Sequence, residues 1–187
     1  MSAHFHVLFA AALLGLVLQP GPAHAAPYVF DSKHGEVLFA YSLPFSSGKG
    51  RFTGVTGKAE VNDAAPEKGS VDVVIDARTL RASDSLSQSE LRGGSFFAVT
   101  KHPTMHFKSR SIRGKSTSHY EITGDMTVKG ITRPIVLHVE LQPPNGGMRQ
   151  MRATTRINRS DFGMTAYGFL VGETVDIEIR APLIPAR

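Results

Sequence analysis

The sequence predicts an all-β domain of eight antiparallel strands, with one short helical insert between the third and fourth strands. Three observations support this fold class. Apolar and polar residues alternate with period two in eight segments, which is typical of strands with one buried and one solvated face. Clusters of Gly, Pro, Asn and Asp separate these segments. Only the stretch 83–97 lacks the alternation and carries helix signals instead.

The first three predicted strands occupy residues 36–43, 52–62 and 69–76. Each places apolar or small residues on one face and polar residues on the other. The three inward faces are Val37, Phe39, Tyr41 and Leu43; Val55, Gly57, Ala59 and Val61; and Val71, Val73 and Ile75. A further short piece, "YVFD" from Tyr28, is expected at the edge of the sheet.

The helical insert is predicted from its capping signals. Ser87 and Glu90 have the spacing of a capping box, and Gly93-Gly94 is expected to end the helix. This predicts one or two helical turns. Leu86, Leu91, Phe96 and Phe97 lie in the insert, either as ordinary core or as a lid over the end of the domain.

The last five predicted strands occupy residues 104–111, 119–128, 134–142, 149–158 and 173–181. Their inward faces are Met105 and Phe107; Tyr120, Ile122, Gly124, Met126 and Val128; Ile135, Leu137, Val139 and Leu141; Met151, Ala153, Thr155 and Ile157; and Val175, Ile177 and Ile179. Eight such strands can form a sandwich or a closed barrel. An eight-stranded barrel either fills its interior or holds one small ligand. Some inward residues are small, and they could either leave space for a channel or make room for large neighbouring side chains. These residues are Gly57, Ala59, Gly124 and Ala153.

The amino-terminal residues 1–25 have the pattern of a secretory signal peptide. An apolar run, residues 7–19, precedes the small-x-small triplet Ala23-His24-Ala25, so cleavage is expected after Ala25. The run is shorter than the roughly 20 apolar residues that a spanning helix needs. The sequence therefore predicts an exported domain at 26–187.

Composition excludes several classes of chemistry. The chain has no cysteine, which excludes thiol redox chemistry, zinc–thiolate sites and Cys nucleophiles. The net charge is +5, but the basic residues are spread along the chain and do not interleave with aromatic residues in a block, so nucleic acid is not an expected partner. His102 and His106 lead into a strand, where four residues span about 13 Å, so they are not expected to share a metal ion. No Ser–His arrangement or positioned general base is evident, so no catalytic residue, metal ligand or required cofactor is predicted.

Three segments resemble the YceI-like family of exported lipid-binding proteins. They are "LRGGSFFAVTKHPTMHFKS", "ITGDMTVKGITRPIVLHVEL" and "INRSDFGM", and the resemblance extends from about Tyr28 to Ile184. It implies an eight-stranded antiparallel lipocalin-like barrel whose apolar tunnel holds a polyisoprenoid or a similar amphiphile. It also implies a periplasmic location and, in many members, a homodimer.

Candidate site residues follow from the inward faces and this resemblance. The expected tunnel residues are Phe39, Tyr41, Val73, Ile75, Phe96, Phe97, Phe107, Tyr120, Ile122, Met126, Val128, Leu137, Val139, Ile157 and Phe162. The candidates for contacts to a ligand headgroup are Arg51, Arg92, Lys101 and Arg159. For Arg159 two readings stay open: a turn in which it pairs with Asp161, and a phosphate contact at the barrel mouth.

Two other classes of function remain as alternatives. An enzyme acting on an isoprenoid or quinone would need a polar residue that points into the tunnel, and the inward faces contain almost none. A partner-binding module, for example one that binds a membrane redox protein, would have a filled barrel and an exposed apolar patch. Alternation alone does not separate a tunnel from a packed core.

Overall fold

Residues 25–186 are described by the computed structural model and form eleven strands and one α-helix. The strands are β1 (Ala26–Phe30), β2 (Glu36–Leu43), β3 (Ser46–Phe52), β4 (Val55–Val61), β5 (Ser70–Asp76), β6 (Arg81–Ala82), β7 (Thr104–Gly114), β8 (His119–Val128), β9 (Ile131–Leu141), β10 (Arg149–Asn158) and β11 (Thr174–Pro185). Helix α1 is Ser85–Arg92, and short 3-10 helices occupy Pro66–Lys68, Ala77–Thr79 and Arg159–Phe162. The predicted signal peptide lies outside the described residues, except for Ala25.

The strands form one antiparallel sheet that closes on itself. β11 pairs with β10 on one side and with both β1 and β2 on the other. β3 and β4 pair with β2 and β1 respectively, while β6 and β5 pair with β3 and β4. The pairs β1–β2, β3–β4 and β5–β6 therefore act as three interrupted strands. With β7 to β11 they make a closed eight-stranded barrel, as predicted.

The piece at Tyr28 is not an edge strand, contrary to expectation. β1 pairs on one side with β4, where Tyr28 is opposite Ala59, and on the other side with β11, where Tyr28 is opposite Pro185. Tyr28 and Phe30 are both buried. The five residues of β1 therefore help to close the barrel and leave no free edge at this position.

Strand β3 was not predicted, because its sequence "SSGKGRF" does not alternate apolar and polar residues. Two glycines take the inward positions, and aromatic rings from β2 cover them. A Cβ at Gly48 would lie 2.0 Å from the ring of Tyr41, its cross-strand neighbour, and one at Gly50 would lie 2.3 Å from the ring of Phe39. The apolar surface of this part of the barrel therefore comes from the neighbouring strand.

Helix α1 lies between β6 and β7, as predicted, but the proposed capping box is wrong. The helix begins at Ser85, and Asp84 caps it by accepting a hydrogen bond from the Ser87 N–H at 2.8 Å. Gly93 ends the helix, and its N–H contacts the carbonyls of Ser89 and Glu90. Asp84 and Ser87 are both good capping residues, so sequence alone gives two alternative starting points for the helix.

The two ends of the barrel differ. At one end, here called the insert end, lie the β2–β3 turn, residues 83–103, the β8–β9 turn and residues 159–173. At the other end the buried Arg149 donates to both carboxylate oxygens of Asp63, at 2.8 and 3.0 Å, and to the Gln142 carbonyl at 2.9 Å. The Tyr120 hydroxyl also donates to Asp63. This network closes the second end with polar contacts.

Candidate functional site

The barrel encloses an apolar cavity of about 120 Å³. This is several times the roughly 10–15 Å³ that a cavity needs to hold one water molecule. Its walls come from the strands of the barrel, from the insert and from the loop after β10. Three of its lining residues have polar side chains: Tyr41, Thr155 and Arg159. The interior is therefore suited to an apolar ligand rather than to a polar one.

Thirteen of the fifteen expected tunnel residues line this cavity. They are Phe39, Tyr41, Val73, Ile75, Phe96, Phe97, Phe107, Ile122, Met126, Val128, Leu137, Val139 and Ile157. Tyr120 instead lines a smaller neighbouring cavity of about 50 Å³, which shares Phe30, Ile122 and Val139 with the main one. Phe162 is fully buried in the loop after β10 but does not line the main cavity.

The small inward residues do not widen the main cavity, because none of them lines it. A Cβ at Gly124 would lie 2.5 Å from the ring of Phe107, so this glycine makes room for a large neighbour. Gly57 has φ +149, and a Cβ there would lie 2.2 Å from the Asp72 carbonyl oxygen on the adjacent strand. The structure thus favours the packing interpretation of Gly57 and Gly124 over the channel interpretation, whereas Ala59 lines the smaller neighbouring cavity.

Several lining residues were missed by the sequence analysis. Phe30 lies in β1, where the sequence predicts an edge, and Phe52 is the last residue of the unpredicted strand β3. Met164 and Val171 lie in the loop after β10, where no periodic pattern marks an inward position. The only signal available for either residue was a large aromatic side chain: Phe30 within the short piece "YVFD", and Phe52 at the start of the predicted strand 52–62, on the face opposite Val55.

The insert covers one end of the cavity with aromatic side chains. The Phe97 ring packs 5.0 Å from Phe52 and 5.9 Å from Phe39, measured between ring centroids. Phe96 stacks on Tyr167, at 6.2 Å, and so joins the insert to the loop after β10. Burial raises the pKa of Tyr41, and the negative charge of Asp84 raises it further, so the Tyr41 hydroxyl is neutral at physiological pH.

Arg159 is a clamp for the loop after β10, and not the partner of Asp161 that the turn reading had given it. Its side chain is buried, and it donates to the carbonyls of Gly172 (3.0 Å), Met164, Ala166 (2.9 Å) and Val171 (2.9 Å), and to the Glu173 carboxylate (3.1 Å). A guanidinium has five N–H groups, and these contacts use all five. No donor remains for a headgroup, so the phosphate reading of Arg159 does not fit this structure.

The other three headgroup candidates lie outside the cavity wall. Arg51 is exposed on β3, 4.0 Å from Glu36. Arg92 donates to the Arg78 carbonyl at 2.7 Å, and Lys101 is exposed in the insert. Arg92 and Lys101 belong to the segment that covers the insert end of the cavity, whereas Arg51 lies on the outer face of the barrel.

Residues 25–186 contain no group of three or more His, Asp or Glu side chains that could hold a metal ion. Within the same residues no helix is long and apolar enough to cross a membrane.

The geometry defines a class of protein: a closed, eight-stranded antiparallel barrel with an apolar cavity under a helical insert. Barrels of this size can hold one small ligand. The chain belongs to the YceI-like domain family, whose model matches residues 28–183. The match confirms the resemblance found in the sequence.

Relatives and solved structures agree with this assignment. The chain is 33% identical over 181 residues to a UPF0312 protein of Vibrio cholerae, covering 92% of this chain and 95% of the relative. It is 32% identical over 176 residues to a UPF0312 protein of Ectopseudomonas mendocina, covering 90% of this chain and 92% of the relative. The crystal structure of Burkholderia cenocepacia BcnA has a TM-score of 0.76 at 20% identity, covering 82% of this chain and 98% of that one. The structure of a polyisoprenoid binding domain from Saccharophagus degradans has a TM-score of 0.66 at 12% sequence identity. The match covers 87% of this chain and 99% of that one. These two structures show a shared fold.

Proposed function

We propose that this protein is an exported binding protein that holds one polyisoprenoid or similar long-chain amphiphile in the barrel cavity. An isoprenoid quinone, a prenyl phosphate and a fatty amide all have the required chemistry. The observation that carries the proposal is the cavity itself, an unfilled space with almost purely apolar walls. The YceI-like family and the printed description of the Saccharophagus degradans neighbour as a polyisoprenoid binding domain support the same class of ligand.

The expected energetics favour the tail over the headgroup. Burial is worth about 25 cal/mol per Å² of apolar area, so a tail of several hundred Å² gains several kcal/mol before ordering costs are subtracted. Arg92 and Lys101, in the segment that covers the cavity, are the proposed headgroup contacts. Selectivity should therefore be loose for chain length and stricter for the headgroup.

We propose export to a bacterial periplasm, with cleavage after Ala25. This rests on the signal-peptide pattern of residues 1–25, and β1 begins at Ala26, directly after the expected cleavage site. The bound lipid would serve transport, storage or a stress response. Neither a homodimer nor a membrane redox partner is needed for this role, and each remains a separate proposal.

The test is native mass spectrometry of the protein purified from a periplasm, followed by solvent extraction. We expect a discrete adduct that extracts as a prenyl or acyl compound. Thr155→Trp places a large ring in the cavity and should abolish the adduct, because Thr155 lines the wall. Thr154→Trp is the matched control, since Thr154 is exposed on the outer face of the same strand.

Two results of the mass spectrometry would contradict this function. A bare polypeptide mass, with no shift after adding polyprenyl lipids, would contradict the proposal. Equal adducts in wild type and in a folded Thr155→Trp variant would show that any bound lipid lies outside the cavity.

A further inference from the structure

Five large apolar residues are exposed together at the insert end of the barrel. Among the described residues, eight large apolar side chains are exposed, and five of them belong to this end. We call these five the apolar rim: Phe45, Leu86, Tyr167, Phe169 and Leu170. Phe45 is fully exposed, and Phe169 and Leu86 are 84% and 73% exposed. The remaining three, Val74, Val136 and Met148, are scattered over the outer wall and the opposite end.

The three segments that carry the rim contact one another. The Gly172 N–H donates to the Ser42 carbonyl at 2.9 Å, which places the loop after β10 beside the β2–β3 turn that bears Phe45. The Tyr167 hydroxyl donates to Glu90 at 3.3 Å, which places the same loop against α1. These segments also contribute Leu91, Met164 and Val171 to the cavity wall. The rim therefore lies around the covered end of the cavity.

Cations without carboxylate partners lie beside the rim. Arg92, Lys101 and Lys129 lie at this end, and none of the ion pairs formed within residues 25–186 involves them.

The carboxylates at this end are mostly engaged with the protein itself. Asp84 caps α1, Glu90 accepts from Tyr167, and Glu173 pairs with Arg159. Asp161 is exposed. The end of the barrel that covers the cavity thus presents apolar side chains beside three cations that form no ion pair within residues 25–186.

We propose that the apolar rim docks the barrel onto an anionic phospholipid bilayer. The rim side chains enter the headgroup region, and the neighbouring cations contact lipid phosphates. A second copy of this chain fits the surface less well, because a two-fold contact would bring the same cations against each other. Docking in this orientation lets an apolar ligand pass between bilayer and cavity without crossing water; this transfer step, unlike docking, rests on the proposed function.

Vesicle co-sedimentation tests the docking. The protein is the barrel, residues 26–187, with vesicles of phosphatidylcholine alone or with about 30 mol% phosphatidylglycerol. We expect binding to the anionic vesicles that weakens at about 1 M salt, where surface charges are screened. Phe45→Ser with Phe169→Ser should lower the partition coefficient roughly tenfold or more, because two exposed aromatic rings no longer leave water on docking. Lys101→Gln with Lys129→Gln should remove most of the preference for anionic vesicles.

Matched variants separate the rim from general hydrophobicity and charge. Val136→Ser with Met148→Ser, and Lys58→Gln with Lys68→Gln, change exposed residues away from this end and should leave binding within about twofold. Neither Phe45 nor Phe169 lines the cavity, so the lipid adduct seen by mass spectrometry should survive the rim variant. Loss of docking with an intact adduct therefore leaves the proposed function standing, and an absent adduct with intact docking leaves the docking standing.

Three results would overturn the docking proposal. One is a wild-type protein that does not sediment with anionic vesicles at about 0.1 M salt. Another is an equal loss of binding in the rim and control variants. The third is a solution dimer that dissociates in Phe45→Ser with Phe169→Ser and does not bind vesicles, which would identify the rim as a subunit interface.

Discussion

At the scale of single residues, Arg159 shows how a strong sequence signal can be misread. The polar tetrad from Asn158 to Asp161 indicated a turn, and the turn is there, with Asn158 as its cap. The partners of Arg159, however, lie 5 to 14 positions along the chain, in a loop without a periodic pattern. Local sequence does not specify such partners, because they depend on how the loop folds back over the barrel end.

Arg159→Met should destabilise the fold by about 3 kcal/mol, because the buried carbonyls that it satisfies would lose their donors. Urea unfolding followed by circular dichroism measures the change. Arg156→Met is the control: Arg156 is exposed and pairs with Asp176 on the outer wall, so its loss should cost about 1 kcal/mol or less. Equal effects of the two changes would contradict the clamp role of Arg159.

Glu178 should make stability depend on pH in acid. Hydrogen bonds from Arg152 and then Arg180 lower the pKa of Glu178 from 4.5 to about 2. Because the pKa is lower in the folded state, the stabilisation is complete above about pH 4.5 and is lost as the pH falls toward 2. The free energy of unfolding of Glu178→Gln should therefore fall less between about pH 5 and pH 2 than that of wild type, by about 1 kcal/mol or less because the pairs are solvent-accessible.

The measurement is a series of urea titrations across that range. Glu67→Gln is the control, since Glu67 is exposed and takes part in no ion pair within residues 25–186. Parallel pH curves for wild type and Glu178→Gln would rule out this contribution.

At the scale of elements, all eight strands predicted from alternation are present in the structure, with boundaries that differ by a few residues. Strand β3 was missed because glycines take its inward positions, so its apolar contacts belong to β2. The role of the small inward residues could not be predicted from the sequence either. A glycine that is covered by an aromatic ring and a glycine that lines a channel occupy the same inward position in the alternating pattern. In space the difference is plain: Gly57 faces backbone and Gly124 faces the Phe107 ring.

Gly57→Ala should destabilise β4 by about 2–3 kcal/mol. Its backbone has φ +149, which L side chains rarely adopt, and the new Cβ would meet the backbone of β5 rather than a side chain that could move. Thermal unfolding monitored by circular dichroism measures the loss. Gly94→Ala should change stability by about 0.5 kcal/mol or less, since no atom lies within 4 Å of its Cβ position. A neutral Gly57→Ala would show that β4 and β5 can separate here at little cost.

At the scale of the whole molecule, the sequence predicted eight strands and an apolar interior but did not distinguish a barrel from a sandwich. Both architectures need the same alternation, and the difference lies in whether the first and last strands pair. Here β1 and β2 pair with β11. The family resemblance supplied the barrel and most of the cavity residues. Met164 lies in one of the segments that carry the resemblance but was not assigned to the cavity, and Val171 comes from a loop that neither periodicity nor resemblance singled out.

Deleting residues 26–30 should prevent the barrel from closing. The deletion removes the buried side chains Tyr28 and Phe30 and exposes the edges of β4 and β11. We expect loss of a cooperative thermal transition and aggregation, measured by calorimetry and light scattering. Deleting only Ala26 and Pro27, which are exposed, should retain the transition. A cooperative transition in the larger deletion would contradict the role given to β1.

The pairing of β1 with β11 also constrains when the protein can fold. Tyr28 in β1 pairs with Pro185 in β11, so the barrel cannot close until residue 185 has been synthesised. Contacts this distant in sequence form late and slow the search for the native state. The barrel of a nascent chain therefore stays open for as long as its last strand is inside the ribosome. The same delay would suit the proposed export, because an unclosed chain is easier to pass through a narrow channel.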